Sequence, residues 1–195
     1  GVAVGNDSES ASPDPPGNVA CEQNGSGPDR DNDDGGEYTD DWTHVNDVDR
    51  VGEDRFLLSP RNLDQVVLVD RRSDEIVWRL GRDDDHSILQ KQHNPDYLAG
   101  PDGESTVLVA DSENDRVVEY ARETASGDGD DDGDWNRTWH LAGNFQWPRD
   151  ADRLPNGNTL VTDSRNHRVL EVAPNGTVVW EVYTPWLPYD AERVQ

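Results

Sequence analysis

From Trp42 onward, short apolar runs alternate with polar stretches rich in Gly, Pro, Asn and Asp. The runs are too short for helices and rich in Val, Leu and Thr, which predicts strands. They fall into three similar units. RFLLS (55–59), TVLVAD (106–111) and TLVTD (159–163) are followed by QVVLVDR (65–71), RVVEYAR (116–122) and RVLEVA (168–173). A Trp-bearing run closes each unit: EIVWRL (75–80), WNRTWHL (135–141) and TVVWEVY (177–183). Each unit opens on a strand carrying an Asp, namely Asp47, Asp96 and Asp150, and a fourth such opening holds Asp190. Aligned on the strings SPRN, DSEN and DSRN, Asn62, Asn114 and Asn166 fall at equal intervals of 52 residues.

The turns between strands carry suitable chemistry. Asn156-Gly157 and Asn175-Gly176 tolerate the positive φ of a tight hairpin. Four-stranded antiparallel units repeating at this length predict an all-β fold, a β-propeller. The chain accounts for about three blades plus one strand of a fourth. That is an incomplete ring with exposed strand edges, open to missing blades or a partner. A flat β-sandwich would use the same strands but leave the repeat unexplained. Residues 1–40 are rich in Gly, Ser, Pro, Asp and Asn and lack an apolar pattern, so they read as a disordered acidic segment. The division is therefore 1–40 and a partial propeller domain over 41–195.

Charge narrows the function classes. The net charge is −25, with Lys91 the single lysine. Nucleic-acid binding needs the opposite sign. An acidic surface keeps a protein soluble where salt screens its self-repulsion, which points to a halophilic source. Cys21 has no disulfide partner in the chain and reads as incidental. No apolar stretch is long enough to cross a membrane. The absence of methionine fits a processed chain or a fragment. Asn6, Asn24, Asn136 and Asn175 head N-x-S/T sequons, which matter only if the chain is exported. The Asp-rich stretch 126–134 resembles a calcium loop, but Trp139 stands where the bidentate acid belongs. It reads as a surface insertion, and no metal is expected.

The first strand of each propeller blade lines the central channel. Counting back three residues from each opening Asp gives His44, His93, Trp147 and Leu187, which places two histidines at one position on adjacent blades. Asn46 and Asn94 lie on the same strands. Arg61 ends the second strand of the first unit, with Glu113 and Arg165 as its counterparts. Imidazoles, an amide and a guanidinium around a channel suit an oxyanion substrate. His86, His140 and His167 fall in a loop, an outer strand and a turn. No zinc spacing, Gly-rich phosphate loop or G-x-S-x-G is present.

The string WTHVNDVDRVGEDRFLLSPRNLDQVVLVDRRSDEIVWRLG followed by QKQHNPDYL resembles the arylsulfotransferase family of β-propellers. The family pattern runs H-x-N, S-x-R-N, I-V-W-x-L-G and Q-H-D or Q-H-N, and the resemblance spans residues 42–195. It implies sulfuryl transfer from an aryl sulfate to a phenol, with no cofactor. The histidine of the Q-H motif, which becomes sulfated in that family, is His93. The H-x-N pair is His44 and Asn46, and the arginine of S-x-R-N is Arg61. The family also implies a six-bladed ring, a further histidine from an earlier blade and an extracytoplasmic or cell-surface setting. Asn94 stands where many relatives have Asp. Residues 147–176 also resemble an NHL repeat, so a non-catalytic binding propeller is the alternative.

Overall fold

The computed structural model describes residues 41–83, 85–100, 105–122 and 135–194. The expectations for residues 1–40 and for the 126–134 insertion lie outside the described residues.

Among the described residues, twelve strands form three four-stranded antiparallel sheets. The first holds β1 (Val45–Arg50), β2 (Arg55–Pro60), β3 (Gln65–Asp70) and β4 (Glu75–Gly81). The second holds β5 (His93–Ala99), β6 (Ser105–Asp111), β7 (Arg116–Arg122) and β8 (Trp135–Ala142). The third holds β9 (Pro148–Arg153), β10 (Thr159–Asp163), β11 (Arg168–Val172) and β12 (Val178–Tyr183). Strand order in each sheet follows chain order, as in a propeller blade. No helix among the described residues is long and apolar enough to cross a membrane.

Side-chain alternation explains how the sheets stack. Val107 and Val109 pack with Leu57, Val66, Leu68 and Trp78 of the first sheet. Leu108, between them, packs with Ala151, Val161, Leu170 and Val172 of the third. Successive residues point to opposite faces, so the middle sheet is buried on both. This is why its strands read as continuous apolar runs rather than alternating ones. Each such Val or Leu stabilises the stack by about 1.5–3 kcal/mol.

The closing tryptophans occupy one repeated position. Trp78 pairs with Leu68, Trp139 with Glu119 and Trp180 with Glu171. Trp78 is buried, with the Trp135 ring edge-on at 4.9 Å. Trp180 is 47 % exposed, and Val178, Val179, Val182 and Tyr183 of the same strand are exposed too. The fourth opening differs from expectation. Residues 188–194 lie against the third sheet, with Ala191 N–H donating to Asp150, but form no strand. A strand requires a ladder partner, and none of the described residues supplies one.

Gly81 ends β4 at φ +92°, and a Cβ there would collide with the carbonyl oxygen of Asp64. Both steric terms act against any side chain. Gly81→Ala is expected to destabilise the protein by about 2 kcal/mol, read as a lower denaturant midpoint with an unchanged slope.

Candidate functional site

A turn of 3₁₀ helix joins the second and third strands of each sheet: Arg61–Leu63, Ser112–Asn114 and Ser164–Asn166. Each is followed by a left-handed residue, Asp64, Asp115 and His167. These turns fix the true register. Backbone N–H groups of Asn62, Glu113 and Arg165 donate to the carbonyls of Thr43, Gln90 and Gln146. The next residues, His44, Lys91 and Trp147, all have positive φ, from 45° to 55°. Asp64 accepts the Lys91 N–H at 2.7 Å, and Asp115 accepts that of Trp147 at 2.8 Å. Each blade thus holds the entry of the next.

This register corrects the sequence alignment. His44 and His93 do not share a position. His44 matches Lys91 and Trp147, whereas His93 matches Asn46 and Arg149. The slip arose at Asp96, which pairs with Leu108 as Asp49 pairs with Leu57 and Asp152 with Leu160. The counterpart of Asp47 and Asp150 is Asn94. Arg61 likewise matches Ser112 and Ser164, not Glu113 and Arg165. Asp111, Asn114 and Arg116 form a buried cluster repeated by Asp163, Asn166 and Arg168. The first blade has Pro60, Leu63 and Gln65 there, so alignment on its Asn62 shifts by one.

The four sequence-predicted residues nevertheless gather at the entries of β1 and β5. His93 is 3 % exposed. Its Nδ1 lies 2.7 Å from Ser112 Oγ, which itself donates to the Pro148 carbonyl at 2.7 Å. A hydroxyl has one proton, so Ser112 accepts from His93, and the imidazole proton sits on Nδ1. Nε2 keeps its lone pair. Burial lowers the His93 pKa to about 3, assisted by the charges of Arg149, Arg61 and His44. The ring is therefore neutral near pH 7.

His44 is held by Asp41, which accepts its backbone N–H at 2.9 Å and contacts Nδ1 at 2.8 Å. Asn46 donates through Nδ2 to the Gln92 carbonyl at 2.8 Å, and its buried Oδ1 has no partner. Arg61 is buried and donates to Asn62 Oδ1 at 2.7 Å. The Trp147 and Tyr189 rings stand edge-on to His93, centroids 6.0 and 5.9 Å away. Arg149 lies over both rings, at 3.7 Å from Trp147 and 4.7 Å from Tyr189. Sequence reasoning missed Arg149, Tyr189 and Ser112 as site residues. Their signal appears only once Arg149 and Tyr189 are aligned with His93, and Ser112 with Arg61.

Deeper along the inner strands the chemistry reverses sign. Burial, with neighbouring acids adding to it, raises Asp150 to about 8 and Asp47 and Asp152 to about 6. The cationic entry and the acidic interior are thus distinct regions of the same strands.

Ser112→Ala is expected to free the His93 tautomer. Imidazole ¹⁵N shifts should show a single Nδ1–H form in the unaltered protein and a mixture in the variant. A single form in both would mean that Ser112 does not set it.

The model of the family described as Arylsulfotransferase (ASST) matches residues 19–184. The chain belongs to the arylsulfotransferase family. No curated protein matches it. Among solved structures, this arylsulfotransferase-family chain is similar to a protein of unknown function from Bacteroides caccae, at 15% identity and TM-score 0.44, covering 72% of this chain and 46% of that one. It is similar to virginiamycin B lyase from Staphylococcus aureus at 12% identity and TM-score 0.46, with 73% and 42% covered. The Cps50 β-propeller domain of Myceliophteria thermophila gives 13% and 0.48, with 73% and 44% covered. The chain spans less than half the length of each of these structures.

Proposed function

We propose that the chain transfers a sulfuryl group from an aryl sulfate to a phenol through a sulfated His93. The observation that supports this reading best is the His93–Ser112–Pro148 relay, which leaves Nε2 unprotonated beside cationic side chains. The Nε2 lone pair attacks sulfur, the S–O bond to the aryl group breaks, and the phenolate leaves with the electron pair. In the second half, the acceptor phenol gives its proton to the phenolate released in the first, directly or through water, and its oxygen attacks the sulfohistidine sulfur as the S–N bond to Nε2 breaks. Neutral His93 is released and the aryl sulfate product forms. Splitting the transfer in two lowers each barrier. Arg61 and His44 stabilise charge on the sulfuryl oxygens and the leaving phenolate. Asn46, braced on the Gln92 carbonyl, orients the sulfuryl group.

The test is incubation with 4-nitrophenyl sulfate, followed by peptide mapping. Acid-labile sulfate should appear on His93, with release of one 4-nitrophenolate per labelled chain before acceptor is added. Transfer to phenol without any label on His93 would overturn the mechanism.

A further inference from the structure

Arg149 has a placement that packing alone does not explain. The chain carries 42 carboxylate side chains and 17 basic ones. Three other part-buried arginines use acids: Arg116 with Asp111 at 2.6 Å, Arg153 with Glu119 at 2.6 Å, Arg168 with Asp163 at 2.8 Å. Arg149 has no ion pair or hydrogen bond among the described residues, and its buried Nε is unpartnered. It rests instead on the faces of Trp147 and Tyr189. A cation–π grip holds a guanidinium by its face and leaves the N–H edge free. Arg61 and Arg165 are close enough to act on it, and Arg165 shares the Trp147 ring at 4.3 Å. Like charges gathered in so acidic a chain call for an anion. The same two rings flank His93, and Arg149 is close enough to act on the imidazole.

We propose that Arg149 is a ligand of the sulfuryl oxygens, a guanidinium fork contributed by the third blade in addition to Arg61. The inference deepens the transfer reading and rests on it for the identity of the bound group. The bond changes are those already given. Arg149 donates N–H groups to oxygens that stay on sulfur throughout, and no proton or electron pair moves onto it. Trp147 and Tyr189 hold the fork in place without competing for its donors.

The experiment has two arms on the full chain. In the first, His93 labelling by 4-nitrophenyl sulfate is timed in the unaltered protein, Arg149→Met and Arg149→Lys. Methionine keeps apolar contact with the rings but removes every donor, and labelling is expected to slow about 10²-fold or more. Lysine restores charge without the fork and should fall between. In the second arm, inorganic sulfate replaces chloride at constant ionic strength while tryptophan fluorescence is followed. The unaltered protein should bind sulfate, and Arg149→Met should bind it at least tenfold more weakly. An Arg149→Met protein that labels and binds sulfate like the original overturns the proposal. So does an original chain that binds no sulfate. Should His93 never label while sulfate binding depends on Arg149, the transfer reading fails and the anion site stands.

Discussion

His93→Asn is expected to abolish sulfate labelling and to lower transfer by at least about 10⁴-fold, as loss of an enzyme's nucleophile does. Asparagine places an N–H near the position of Nδ1, so the bond to Ser112 and the fold are retained. Only the nucleophilic Nε2 is lost. The unaltered protein should show a matching pH profile. With the His93 pKa lowered to about 3, Nε2 carries a free lone pair throughout the neutral range. The labelling rate is therefore expected to stay level from pH 8 to pH 5. A fall centred near 6.5 would mean that burial and the surrounding cations do not strip the ring of its proton. The same shift affects folding. Between about 3 and 6.5 the unfolded chain binds the proton and the folded one does not, so this group's contribution rises with pH across that window.

Asp150 works in the opposite sense. Burial raises its pKa to about 8, and Asp152 and Asp190 add repulsion. Between about 4 and 8 the folded chain holds a proton that the unfolded chain has lost. Stability therefore falls as pH rises through this range. Asp150→Asn removes the ionisation while keeping an oxygen for Asn94 Nδ2 or the Ala191 N–H. The variant is expected to match the original near pH 4 and to exceed it at pH 8, by an amount on the order of several kcal/mol. Denaturant unfolding at pH 4, 6 and 8 in constant salt measures this. Equal stabilities at pH 8 would show that Asp150 ionises freely in the folded chain.

The strands were legible because burial imposes a pattern on them. Twelve of the thirteen predicted runs are strands, the fourth opening being the exception, and Val107 to Ala110 read as apolar because both faces of the middle sheet are covered. Register was harder. Asp96 and Asn62 carry the right residue types one or two positions away from their true counterparts. What fixes register is the acceptance of the Lys91 and Trp147 N–H groups by the Asp64 and Asp115 carboxylates, contacts between residues too far apart in the chain for a short motif to display. Alignment by letter therefore put His44 beside His93. His93 and Arg61 were accessible through motif strings. Arg149 was not, since an arginine in an acidic chain looks like an ion-pair partner until the structure shows it on two aromatic faces, with no ion pair among the described residues.

The corrected register gives the inner strand a single geometric socket, filled by Asn46, His93 and Arg149, with Tyr189 at the matching place in the segment that follows β12. An amide, an imidazole, a guanidinium and a phenol thus arrive at comparable places on backbone that hardly varies. Ser112 and Arg61 show the same exchange one turn away: a hydroxyl that orients an imidazole in one blade, a cation in the other. Repetition usually suggests redundancy, but here it works as a rack of interchangeable mounts. Chemistry differs from blade to blade, while the apolar cores that stack the sheets are built from other residues.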